Sequence, residues 1–310
     1  KALGIGRDDE VITTPMSFIA TSNSIIHAGA KPVFVDVEKN TGNIDIENIE
    51  KSISKKTKAI MPVHLYGQMC DMIAINEIAK KYKLYVIEDC AHCIEGHRDM
   101  IRPGQLSSAA IFSFYATKNI TSGEGGAIIT NNRDLYNKLL KYRTHGMSKG
   151  AAERHTSKYQ HWDMEMLGYN CKISDIQSSL LLPQLKNIEN NLKIREKICT
   201  MYNNEFSNFN GIEFPSVLKN TKHARHLYSV WVPPIKRDKI IYKLESAGIG
   251  VTVNYRSIHL LSYYRNKSGF KKYRLPNSER IGESTITLPM YPKMSDEEIG
   301  YVAGILKKAV

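Results

Sequence analysis

Along residues 11–130, short runs of β-branched and apolar residues alternate with stretches of helical period. Strands are predicted over 11–13, 32–37, 58–63, 84–89, 110–114 and 127–130. Between them Ile46, Ile49 and Ile53, and later Ile73, Ile75, Ile78, Ala79 and Tyr82, recur at a spacing that puts apolar side chains on one helix face. This is the rhythm of a mainly parallel sheet covered by helices, an α/β fold.

The pattern then breaks. Residues 143–172 are polar, rich in His and Lys and weakly periodic, and read as a long excursion of the kind that serves function or an interface. Ser174 and Asp175 open a long predicted helix with Ile176, Leu180, Gln184, Ile188 and Leu192 four apart on one face and a kink at Pro183. Beyond about residue 195 come strands at 227–232, 250–254 and 285–288 and helices at 236–247 and 295–308. The expected organisation is a large domain over 1–194, closed by a bridging helix, and a smaller α+β domain over 195–310.

Composition narrows the class. A chain of 310 residues with 42% hydrophobic and 24% charged residues can bury a sizeable core. No apolar run approaches the ~18 residues of a membrane span, and the start lacks the order of a signal peptide, so a cytoplasmic protein without a membrane partner is expected. The opening Lys1-Ala2-Leu3-Gly4-Ile5-Gly6 reads as a helix end with its glycine stop, so a preceding segment is expected. The cysteines Cys70, Cys90, Cys93, Cys171 and Cys199 are odd in number, which disfavours a disulfide framework. The net charge of +12 is spread over helix faces rather than gathered in one tract interleaved with aromatics, which argues against nucleic acid and leaves a small anionic substrate compatible.

Candidate chemistry is concentrated at two places. In Phe112-Ser113-Phe114-Tyr115-Ala116-Thr117-Lys118-Asn119, a strand ends in a hydroxyl and a lone lysine follows, before the glycine cluster Gly123-Glu124-Gly125-Gly126. Upstream, the apolar strand at 84–89 runs into Asp89. The carboxyl edge of a parallel sheet is where ligands bind. An acid there needs a cationic partner, and the protonated ring nitrogen of pyridoxal phosphate (PLP) is one. Cys90-Ala91-His92-Cys93 also has the residue types of a zinc site, but a fourth ligand is not evident, and small residues packed under a ligand explain it better.

The residues Val86-Ile87-Glu88-Asp89-Cys90-Ala91-His92, the stretch Phe112 to Asn119 and Gly123-Glu124-Gly125-Gly126 closely resemble the fold-type I sugar aminotransferases known as the DegT/DnrJ/EryC1/StrS family. So do Pro62-Val63-His64-Leu65-Tyr66-Gly67-Gln68, Gly168-Tyr169-Asn170 and Leu288-Pro289-Met290-Tyr291-Pro292, in order, along nearly the whole chain. The resemblance implies an aspartate-aminotransferase-like fold. It implies that Lys118 carries PLP as a Schiff base and shuttles a proton, that Asp89 pairs with the ring nitrogen, and that His92 lies near the ring oxygen. It further implies that Ser113 donates to the phosphate, that Phe18 stacks on the ring, and that Asn170 reaches the phosphate in the neighbouring subunit of a homodimer with shared sites. Where relatives show Asn-x-Arg this chain has Asn170-Cys171-Lys172, and the Ser-Gly-Thr turn that precedes Gly4 in relatives is absent.

The implied reaction is ping-pong transfer of an amino group from L-glutamate to a nucleotide-linked keto-sugar, a 4-keto sugar on UDP or dTDP, in amino-sugar and cell-surface polysaccharide synthesis. His64, Tyr66, Glu124 and His259 are the substrate-side candidates. One alternative is a sugar dehydratase, in whose relatives histidine replaces the lysine; Lys118 argues against it. Another is a non-catalytic ligand sensor or a truncated inactive enzyme, and the Lys118 and Asp89 pair disfavours a chain shaped for inactivity.

Overall fold

A computed structural model of the chain describes residues 1–148, 161–267, 270 and 273–310. Six strands form the central sheet in the order β2-β1-β3-β4-β6-β7: β1 (Glu10–Thr13), β2 (Lys31–Phe34), β3 (Thr57–Met61), β4 (Tyr85–Asp89), β6 (Ala109–Ser113) and β7 (Gly126–Ile129). All neighbours pair in parallel except β6 with β7. Helices α1 (Ala20–His27), α2 (Ile46–Lys51) and α3 (Met72–Tyr82) make the crossovers, and α4 (Arg133–Arg143) follows β7. Alternation along β1 explains the two layers: Val11 packs with Ile25 of α1, and Ile12 on the other face packs with Ile49 and Ile75 of α2 and α3. Asp71 and Asn132 start α3 and α4 by accepting the amides of Ala74 and Leu135 at 3.0 and 2.9 Å.

β2 ends earlier than the sequence predicts. Asp36 turns its carboxylate to the amides of Asn277 and Ser278 at 3.0 and 2.9 Å, capping a distant helix instead of extending the sheet. In the excursion, the described arms run antiparallel, with Ser148 N–H on Asp163 O and His145 N–H on Tyr169 O, both at 2.8 Å. Residues 149–160 of that predicted excursion lie outside the described residues.

The long helix predicted from Ser174 is three helices, α5 (Asp175–Ser179), α6 (Leu181–Lys186) and α7 (Ile188–Phe206). Pro183 lacks the N–H that would bond the carbonyl four residues back, and the first break falls within that turn. The expected apolar face divides accordingly: Leu192 is buried, whereas Ile176 and Leu180 are exposed.

The second half has its own core. α7 packs with β9 (Tyr228–Trp231), β10 (Thr285–Leu288), α8 (Pro234–Ser246) and α11 (Asp296–Ala309) through Ile198, Tyr202, Val230, Ile240, Ile286 and Val302. β5 (His97–Arg98) and β8 (Thr221–Lys222) form a minor ribbon, and α9 (Ser262–Arg265) and α10 (Pro276–Ser284) complete the set. The strand predicted at 250–254 reduces to a bridge between Thr252 and Thr287, because the chain reaches β10 only there. α7 runs unbroken through residue 194, and Ile258, Tyr264 and Leu275 pack back onto Phe34 of the first half. Among the described residues no helix is long and apolar enough to cross a membrane.

Candidate active site

Three strands of the sheet, two of them adjacent, deliver the candidate groups to one edge. β1 leads through Thr14-Pro15-Met16-Ser17 to Phe18, β4 ends on Asp89, and β6 ends on Ser113. Ligand-binding groups of a parallel sheet gather at its carboxyl ends, where the loops that follow the strands meet.

Asp89 is oriented before any ligand arrives. Its Oδ2 accepts the Thr21 hydroxyl at 2.7 Å and its Oδ1 accepts the Ala91 amide at 3.1 Å. Thr21 is itself 2.6 Å from the Ser17 hydroxyl. Lys118 follows a tight turn closed by its own N–H on Tyr115 O at 2.9 Å, and Ser113 Oγ lies 3.4 Å from the Tyr115 N–H. The Lys118 amine is held below the ordinary lysine range by burial, with the Asp89 carboxylate pulling the other way. Its free-base form is therefore more accessible near neutral pH than that of a surface lysine.

His92 is buried, and both ring nitrogens are engaged. Nδ1 accepts the Tyr66 amide at 3.3 Å, so the proton resides on Nε2, 3.0 Å from the Tyr255 hydroxyl. Burial, with help from His226 and Lys118, keeps this imidazole well below its usual range and hence neutral. Tyr255 stacks on His92 with ring centroids 5.9 Å apart and stands 6.2 Å from Phe18, whose own ring is 57% exposed. An amine, a carboxylate, a neutral imidazole and an open aromatic face thus border one cleft.

The substrate-side expectations fare differently. His64 is fully buried, its Nδ1 accepting the Cys70 amide at 3.2 Å and its Nε2 2.8 Å from Glu88. His64 therefore braces the inside of β4, which corrects its assignment to the substrate. His259 is also withdrawn, its Nε2 3.1 Å from Glu279 and its ring beside Phe34 and Tyr273. Tyr66 is buried, with its hydroxyl donating to Asn254 O, and reaches the site through its backbone, the amide on His92 and the carbonyl accepting the His226 amide. Glu124 is exposed on the glycine turn, and Asn170 is exposed on the excursion arm, paired through its backbone with Thr144.

The cysteines behave as packing. Cys90 and Cys93 are buried and donate to Glu88 O and Gly67 O at 3.7 and 3.4 Å. Burial pushes the Cys90 thiol up to about 12 and raises Cys93 further, opposite to the thiolate that zinc requires. A different trio, His64, Glu88 and Cys90, has ligand atoms within 4.8 Å of one another, but its imidazole and carboxylate already satisfy each other.

Gln184, Glu95 and Arg195 escape a reading of the sequence as site residues, and Asn119, His226 and Tyr255 are given no individual role by it. Gln184 clamps the lysine loop by accepting the Thr121 amide at 3.0 Å and donating to Thr121 O at 2.7 Å. A signal for Arg195 exists in retrospect, since it sits on the same face of α7 as Leu192, Ile198 and Cys199.

With this geometry in view, comparison with known proteins is informative. The model of the DegT/DnrJ/EryC1/StrS aminotransferase family matches residues 1–307. The chain is 44% identical to an uncharacterized protein of Methanocaldococcus jannaschii, over 100% of this chain and 81% of that one. It is 39% identical to the spore coat polysaccharide biosynthesis protein SpsC of Bacillus subtilis, over 100% and 81% respectively. The UDP-4-amino-4,6-dideoxy-N-acetyl-beta-L-altrosamine transaminase of Campylobacter jejuni is 33% identical, over 98% and 80%. Among solved structures, the putative sugar aminotransferase Spr1654 from Streptococcus pneumoniae in its PMP form superposes with a TM-score of 0.91 at 29% identity, covering 99% of this chain and 83% of that one.

Proposed function

The chain belongs to the DegT/DnrJ/EryC1/StrS aminotransferase family, and from that premise we propose that it uses PLP to move an amino group from L-glutamate to a nucleotide-linked keto-sugar. The observation that carries the proposal is the half-buried Lys118 amine facing the Asp89 carboxylate at the carboxyl edge of the sheet. The donor set suits PLP. Asp89 offers an oriented carboxylate to a ring nitrogen, Phe18 leaves an aromatic face open for stacking, and Ser113 offers a hydroxyl for the phosphate. Solved relatives include PMP and PLP forms of Spr1654.

Bound PLP supplies an electron sink for the bonds at the substrate carbon. The protein's part is to place and move protons. Asp89, locked by Thr21 and Ala91, holds a proton on the ring nitrogen. Lys118 Nζ, its proton affinity reduced by burial, would take a proton from the substrate carbon and deliver it to the carbon of the cofactor, the net shift that transamination needs. His92 stays neutral and presents Tyr255 to the cleft. A 4-keto sugar on UDP or dTDP is the acceptor we favour; one relative is named for a UDP-linked amino sugar, and another, GDP-perosamine synthase, for a GDP-linked one.

A second copy of the chain completes the site. Leu167 is 83% exposed and Ile176 80% exposed, and Leu180 and Leu182 are also open, all near the arm that carries Asn170. Apolar side chains so exposed and so close in sequence favour an interface, and Asn170 would then serve the partner's cofactor phosphate.

Adding PLP to the purified protein and recording its visible absorbance tests the reading. A band that is lost in Lys118→Ala and bleaches with L-glutamate is expected. Its absence from the parent protein, or its persistence in Lys118→Ala, refutes the assignment.

A further inference from the structure

Immediately after Lys118, the Asn119 side chain is held by two separate parts of the chain, Glu95 and the 224–226 segment. Its Nδ2 donates to both carboxylate oxygens of Glu95, at 3.1 and 2.9 Å, and to Ala224 O at 2.9 Å. Its Oδ1 lies 3.0 Å from Nδ1 of His226, which donates to it. Behind Glu95 stands Arg195 of α7, whose Nη2 donates to the same carboxylate and contacts Ala224 O at 3.5 Å. Glu95 is 8% and Arg195 4% exposed.

Burying such an ion pair contributes little to net stability compared with an apolar pair of similar volume, so its presence calls for another explanation. Its position suggests one. The pair touches neither the sheet edge nor the cleft directly, yet the residue it fixes is covalently joined to Lys118. Ile120 is buried and Thr121 is clamped by Gln184, so the backbone just beyond the lysine is immobilised while the Lys118 side chain stays free to move. The His226 ring also lies against His92, tilted by 38° with centroids 4.4 Å apart, so one network braces two walls of the cleft.

We propose that Glu95, backed by Arg195, is a positioning residue that acts through Asn119 to hold Lys118 at the cleft, and that α7 and the 224–226 segment thereby tie the geometry of the reactive amine to the packing of the second half. The inference deepens the transamination reading and rests on it for the purpose of Lys118, but the clamp itself is testable without PLP.

Competitive acetylation with isotope-labelled acetic anhydride, read by mass spectrometry, follows the titration of each lysine in the intact protein. In the parent, Lys118 is expected to titrate below the surface lysines. Asn119→Ala leaves the ion pair in place but frees the loop, so the amine gains water and its titration should rise by about one pH unit, a tenfold change in the free-amine ratio. Asn203→Ala, which removes the partner of the Tyr228 hydroxyl in the second core, controls for general loosening and should leave Lys118 unmoved. The clamp is refuted if Asn119→Ala leaves Lys118 where the parent has it, or if both variants shift it equally. Borohydride trapping of PLP then separates the two ideas: a parent that traps none at Lys118 overturns the transamination reading, while the acetylation result still decides the clamp.

Discussion

Arg195→Met should unfold the protein more easily, and by an amount that depends on pH. Arg195 is 4% exposed and its Nη2 is the charged partner of Glu95. Methionine replaces most of the side-chain volume, so the dominant loss is electrostatic: Glu95 remains buried with neutral amides, chiefly that of Asn119, to offset its charge. Removing one partner of a buried pair costs about 3–5 kcal/mol, a large share of the ~5–15 kcal/mol that holds a typical protein together. Burial already raises the Glu95 carboxyl above its ordinary range, with Arg195 the largest influence holding it down. A carboxyl raised in the folded state carries no penalty below its unfolded value and the full penalty above its folded one. The defect of Arg195→Met should therefore be greatest near pH 7.5 and diminish toward pH 5 as Glu95 takes up a proton. Urea unfolding followed by circular dichroism at pH 7.5 and 5.5 measures this. With a slope of about 3 kcal/mol/M the midpoint should fall by about 1 M at pH 7.5. A fall below about 0.3 M, or one equal at both pH values, would refute the reasoning.

Two further outcomes follow from the site. Asp89→Asn keeps a side chain that can still accept from Thr21 but removes the charge, so PLP should bind about 10- to 100-fold more weakly, the worth of a charge-assisted hydrogen bond; an unchanged absorbance titration would mean that Asp89 is not the partner of the ring nitrogen. Ile176→Asp with Leu180→Asp places charges on the exposed apolar surface and should convert a dimer to monomers in sedimentation; a parent already monomeric at micromolar concentration would remove the shared site.

The strands of the sheet were legible because parallel strands buried on both faces need continuous apolar runs, and Val11, Ile12, Ala59, Ile60 and Val86 supply them. Asp89 stood out as a candidate for a related reason: a lone acid at the end of such a run has few structural uses. The helix after Ser174 was misread because its period is real but its purpose is divided. Leu192 meets the core, while Ile176 and Leu180 face outward from a single copy. His64 and His259 were misread because a histidine in a motif-like stretch looks the same on paper whether it faces a cleft or a neighbouring glutamate.

By itself, then, the order of residues determined the α/β alternation, the sheet edge that carries the chemistry and the pair of charges on it, since each depends on neighbours close in sequence and on the period of their side chains. Only the tertiary structure decided that His92 is neutral and spent on Tyr66 and Tyr255, and that Glu95, Asn119, Arg195 and His226 meet behind the lysine. Those contacts join residues up to 163 positions apart. They arise from how the two halves pack, and no local pattern records which buried polar group will answer another.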